Sequence, residues 1–156
     1  MPLHSQQLAC NDSAPRMARA WVRLILARTR TPDGYARDGL AHDMVLCASE
    51  LVTSSLIANS TTMTLSLSAD PGRFRLSLLD DRPILSENDA RMHVQSMGFR
   101  LIQTSSDACG IAYTDLGREL WALFRESESG DRPLLDVLIT DGQPPPRPTT
   151  GPRRRP

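Results

Sequence analysis

The 156-residue sequence holds three cysteines, Cys10, Cys47 and Cys109, of which Cys47 lies on an apolar stripe and reads as core. An odd number with no C-x-x-C pair supplies neither a disulfide framework nor a zinc site, and it fits a reducing compartment. His4, His42 and His93 are scattered, and none has a metal-ligand partner at useful spacing. All eighteen basic residues are arginine, so no catalytic or phosphate-gripping lysine exists. Neither Gly-x-Ser-x-Gly nor a glycine-rich loop ending in Gly-Lys-Ser/Thr occurs, so α/β-hydrolase and P-loop chemistry are unsupported. Arg153, Arg154 and Arg155 could touch phosphate. They lack an aromatic stacking platform and read as a soluble tail.

The elements that must position them follow from periodicity. Residues 1–14 are mostly polar and read as a flexible segment. Asp12-Ser13-Ala14-Pro15 is a helix start, with a capping residue just before a proline. Met17, Trp21, Leu24 and Ile25 then give an apolar face over 15–29. A second helix is expected over 38–58, with Leu40, Met44, Cys47 and Leu51 inward and Leu46, Val52 and Leu56 widening the stripe. Strict alternation over 62–68 and again over 73–79, around the turn Asp70-Pro71-Gly72, predicts an antiparallel hairpin. Its core face is Met63, Leu65, Leu67, Phe74, Leu76 and Leu78. A third helix is expected over 90–105, with Val94, Met97, Leu101 and Ile102 inward. Two strands follow, 111–114 and 118–124, joined by a turn at Asp115-Leu116-Gly117. In the second, Leu120, Ala122 and Phe124 share one face and Trp121 and Leu123 the other.

Residues 134–139 form a further apolar run within an extension over 126–142. The Pro/Arg-rich stretch 143–156 is expected to be disordered. The order α-α-β-β-α-β-β predicts an α+β two-layer sandwich, a mainly antiparallel mixed sheet with helices on one face. Forty per cent apolar residues suffice for one domain, placed at 15–125. Equal numbers of acidic and basic residues make a nucleic-acid-coating protein unexpected. No long apolar run suggests a membrane span, and the N-terminus has no secretion signal. A cytoplasmic location is expected.

Several segments, in order, resemble the histidine-kinase-like ATPase superfamily, and within it the anti-sigma-factor serine kinases and related single-domain ATP-binding regulators. Ser49-Glu50-Leu51-Val52-Thr53-Ser54-Ser55 is similar to that family's S-E-L-V-T-N-A. Leu78-Leu79-Asp80-Asp81-Arg82-Pro83 is similar to V-x-D-x-S-P. Ser96-Met97-Gly98-Phe99-Arg100-Leu101-Ile102 is similar to G-R-G-L-x-L-V. Cys109-Gly110 stands where W-G is usual, and Gly117-Arg118-Glu119-Leu120-Trp121-Ala122 where G-K-T-V-W-A is usual. The likeness spans residues 15–124 and implies a Bergerat-type ATP-binding fold.

The resemblance also implies roles. Glu50 would be the catalytic base toward an attacking hydroxyl or water. Asp80 would accept from the adenine amino group, and Ser96 and Gly98 would approach the phosphates at a helix N-terminus. Ser54 stands where an asparagine would help hold Mg²⁺. A lid would run over 82–95. Glu50, Asp80 and Gly98 keep the family's residues; Ser54, Ser96 and Glu119 depart from it. Glu119 replaces a threonine that supports the adenine, and it either crowds Asp80 or points away.

Two readings follow. One is an ATP·Mg²⁺-binding regulator in transcriptional control. It would resemble a serine/threonine kinase, and would sequester a sigma factor or phosphorylate an antagonist protein. The other is a non-catalytic protein-binding module whose nucleotide site has degenerated. Its partner would be a sigma factor, an antagonist-like protein or a second copy of the chain, with Trp21 on the face where such proteins pair. Neither reading involves a membrane or direct contact with nucleic acid.

Overall fold

In the computed structural model, the described residues are 3–29, 38–70, 72–83, 88, 92–93, 95–126 and 137–141. Alternating sequence builds the sheet. β2 (Met63–Asp70) and β3 (Arg73–Asp80) pair in antiparallel register around a turn whose Gly72 takes φ +69°. That left-handed value is one glycine adopts without strain. All six side chains predicted to face the core, from Met63 to Leu78, are buried. β4 (Ala108–Thr114) and β5 (Gly117–Arg125) form a second hairpin, somewhat longer than their alternation suggested. β3 and β5 join the hairpins, with Asp80 opposite Arg118, Leu78 opposite Leu120 and Leu76 opposite Ala122.

Two strands complete a six-stranded sheet in the order β1-β2-β3-β5-β4-β6. β6 (Val137–Asp141) lies parallel to β4, so the sheet is mixed but mainly antiparallel. It falls in the extension where another apolar strand was expected, though residues 134–136 lie outside the described set. β1 (Leu3–Leu8) corrects the expectation of a loose N-terminus, because it pairs antiparallel with β2 along its whole length. Only Leu8 of this edge strand is buried. A strand exposed on both faces has no alternation to reveal it. The Pro/Arg-rich stretch 143–156 lies outside the described residues.

The helices form the second layer of this α+β sandwich. α1 (Ala14–Arg28) packs on α2 (Asp38–Ile57), and α2 packs on α3 (Met97–Ser105) and on β2, β3 and β5. α2 buries Met44, Val45, Cys47, Ala48, Leu51 and Val52. Its stretch Gly39–Ile57 is long and apolar enough to cross a membrane, contrary to the expectation that no segment is. Here it is the core helix, wedged between two other helices and the sheet.

The inward face of α1 also differs from expectation. Ala14, Ala18, Val22 and Ile25 are buried, whereas Met17 is 51% and Leu24 46% exposed, and Trp21 is half-buried. Ile25 is buried as predicted and Trp21 packs against the core edge, but small residues let α1 approach α2 closely, and Met17 and Leu24 are left on its flank. In α3 the buried residues are Phe99, Ile102 and Ser105; Met97 and Leu101 face outward. Ser96 caps this helix by accepting from the Phe99 amide at 3.2 Å, so the helix begins at Met97. Ala90, Arg91 and Val94, in the predicted first turns, lie outside the described residues, as does most of the lid expected over 82–95.

Candidate functional site

Four of the five residues singled out from the sequence converge. Glu50, Ser54, Ser96 and Gly98 line one cleft of about 500 Å³ between α2 and the N-terminus of α3. Glu50 and Ser54 lie one turn apart on α2, as their spacing predicts. Gly98 faces the Glu50 carboxylate so closely that a Cβ there would sit 2.8 Å from Oε2. Ile57, Met92, His93, Met97, Phe99 and Arg118 are also in the lining.

The fifth residue, Asp80, lies beneath the cleft. It ends β3 in phase with the core-facing residues and is 1% exposed. The C-terminus of α2 folds onto it. Asn59 takes φ 57°, Ser60 N–H donates to the Ser55 carbonyl at 3.0 Å, and Asn59 N–H donates to that of Leu56 at 2.9 Å. This is a Schellman closure with asparagine in the left-handed position. It aims two hydroxyls at one carboxylate oxygen. Ser55 Oγ donates to Asp80 Oδ2 at 2.5 Å and Ser60 Oγ at 3.1 Å.

Arg118, directly across the β3–β5 seam, supplies the charge. Its Nη2 donates to Asp80 Oδ2 at 2.5 Å and its Nε to Oδ1 at 3.3 Å. The Arg82 amide adds a bond to Oδ1 at 3.2 Å. Arg82 Nη1 also donates to the Ala58 carbonyl at 2.5 Å, a cation at the C-terminus of α2. Asp80 thus receives five hydrogen bonds, whereas an ionised carboxylate offers about four lone-pair sites.

Glu119 proves to be the residue that points away. It lies on the opposite sheet face, where Arg75 Nη1 meets its Oε1 at 2.9 Å while the Arg75 guanidinium lies 5.8 Å from the centre of the Trp121 ring. Reasoning from the sequence missed Arg118, although a signal was present. Extending the Leu120, Ala122, Phe124 face of β5 back by two residues reaches Arg118.

Ser54 Oγ lies 3.0 Å from His93 Nε2, and the His93 ring meets Phe99 edge-on at 5.7 Å between centres. Burial, and then the Arg118 charge, lower the His93 pKa to about 4, with Asp80 pulling the other way. The imidazole is therefore neutral at pH 7. Below its ordinary value near 6.5, the unfolded chain binds a proton that the folded chain refuses until about pH 4. This contribution to stability is complete above pH 6.5 and is lost as pH falls toward 4. Allowing for partial exposure, it amounts to about 1–3 kcal/mol. Urea melts at stepped pH should show this loss, and His93→Gln should flatten that part of the profile; parallel profiles would count against it. Elsewhere, burial pushes the Cys109 thiol up to about 11, consistent with an unreactive core cysteine.

The arrangement does not suit ATP·Mg²⁺ as the family resemblance would have it bound. An adenine amino group needs a free acceptor on Asp80, and Arg118, Ser55, Ser60 and the Arg82 amide take up both oxygens. The hydroxyl at the metal position, Ser54, is engaged with His93. Among the described residues no group of three His, Cys, Asp or Glu side chains converges.

No family model and no curated protein matches the sequence. Among solved structures, the RsbU and RsbW domains of Rv1364c from Mycobacterium tuberculosis are similar, with TM-score 0.55 and 20% identity over 92% of this chain. The match covers 35% of that longer chain. It supports the fold alone.

Proposed function

We propose that the chain is a non-catalytic regulatory module on a histidine-kinase-like ATPase fold, working by protein binding in the cytoplasm. A sigma factor or an antagonist protein would be its partner in transcriptional control. The motif resemblance supports the setting. The observation that carries the reading is the saturation of Asp80: the acceptor that adenine would need is locked by Arg118 and two serines. The contrary reading, an ATP-dependent serine kinase with Glu50 as base, draws support from Glu50, Ser96 and Gly98 lining a common cleft. It would require Arg118 to leave a buried ion pair.

Calorimetry with ATP, with and without Mg²⁺, separates the two readings. No binding at millimolar nucleotide is expected for the natural chain. Changing Ser54→Asn, Ser96→Gly and Glu119→Thr together is expected to leave the titration silent while Arg118 remains. Adding Arg118→Thr is expected to free Asp80 and bring in measurable ATP binding. Magnesium-dependent binding by the unaltered chain would overturn the proposal and lead to a phosphorylation assay on candidate antagonists.

A further inference from the structure

Among the described residues, the free charge in the cleft has the wrong sign for a polyphosphate. Arg118 is the arginine in its described lining, and both its Nε and Nη2 are spent on Asp80. Arg19, from α1, donates to Ser49 Oγ at 2.7 Å and does not line the cleft. His93 is neutral. Glu50, by contrast, has no hydrogen-bond or ion-pair partner among the described residues and is only half-buried. A half-buried carboxylate without a partner favours a cation.

The rim is apolar. Ile57 is 77%, Met97 72% and Met92 64% exposed, and all three line the cleft. Methionines at an exposed, concave site adapt to varied apolar side chains and recur at promiscuous binding surfaces. An apolar rim around one unpaired carboxylate is complementary to an amphipathic segment with a basic residue at its centre.

Resting on the reading that the nucleotide site is unused, we propose that this cleft receives an amphipathic segment of a partner protein. One arginine or lysine side chain of that segment reaches Glu50, and its apolar neighbours lie on Ile57, Met92 and Met97. Glu50 would then serve as the charge that selects the partner.

The probe is a twelve-residue acetylated and amidated amphipathic helical peptide with leucines at positions 2, 5 and 9 and one arginine at position 6 (a designed sequence for this test). Its control replaces the arginine by citrulline, which keeps the shape and removes the charge. Both are titrated into the full chain by calorimetry, with methyl-labelled methionines observed by NMR. The arginine peptide is expected to bind about ten-fold more tightly, about 1.4 kcal/mol. It should shift the Met92 and Met97 methyl signals. E50Q should erase the preference while leaving the melting curve unchanged. Equal affinities on the natural chain, a preference that survives E50Q, no shift at Met92 and Met97, or no binding would each overturn the inference. ATP titrated into the same sample separates the two claims. ATP binding would overturn the reading beneath, whereas a charge-blind peptide with silent ATP would overturn the docking inference alone.

Discussion

Replacing Arg118 by alanine is expected to cost about 3–5 kcal/mol of folding stability, the range for removing one partner of a buried ion pair. The guanidinium is 1% exposed and is the largest fully buried side chain among the described residues. Its loss would leave the Asp80 carboxylate desolvated, with Ser55, Ser60 and the Arg82 amide as remaining donors. The pair itself need not be worth that much, because bringing both charges out of water offsets most of their attraction. The double change Asp80→Asn with Arg118→Met should therefore recover more than half of the loss. Urea melts of the two single variants and the double variant close the cycle. A loss below about 1 kcal/mol for Arg118→Ala, or additive single effects, would show that the ion pair does not hold the seam.

Gly117→Ala is expected to be comparably severe, at about 3 kcal/mol or more. Gly117 takes φ +133°, and a Cβ there would lie 1.9 Å from the Asp80 carbonyl oxygen and 3.0 Å from its carbon. The obstacle is backbone, so no rotamer change relieves it. The β3–β5 seam would have to open at the point where Arg118 meets Asp80. Gly72→Ala is the control: its φ of +69° also strains an L residue, but nothing lies within 4 Å of the added carbon. It should cost about 1–2 kcal/mol. Equal midpoint shifts for the two variants in urea would refute the steric argument.

These two sites also mark where the sequence was readable. Alternation placed the β2 and β3 side chains correctly because each strand has one buried face and one polar face. The same rule, carried two residues further along β5, reaches Arg118. The difficulty was physical: an arginine beside a turn ordinarily lies in water, and only its buried partner across the seam makes an inward position tenable. α1 misled for a different reason. Spacing alone favoured Met17 and Leu24, but close packing on α2 selected the small residues Ala14, Ala18 and Val22. β1 gave no signal because an edge strand buries little. For the site, the motifs brought Glu50, Ser54, Ser96 and Gly98 to one cleft. Which side chains already occupied Asp80 depended on contacts 20 to 38 residues away in the chain, beyond the reach of a local pattern.

The strand order has a consequence for how the chain assembles. β2 with β3, and β4 with β5, are hairpins that can close over short loops, whereas β3 meets β5 only after α3 and β4 have been laid down between them. Closing that longer loop is the slower, entropically costlier event. The ion pair and the glycine at the end of this seam join the two hairpins. A weakened seam would yield at this join first, exposing one long edge on β3 and another on β5. Those are the unpaired backbone edges through which sheet proteins associate with one another.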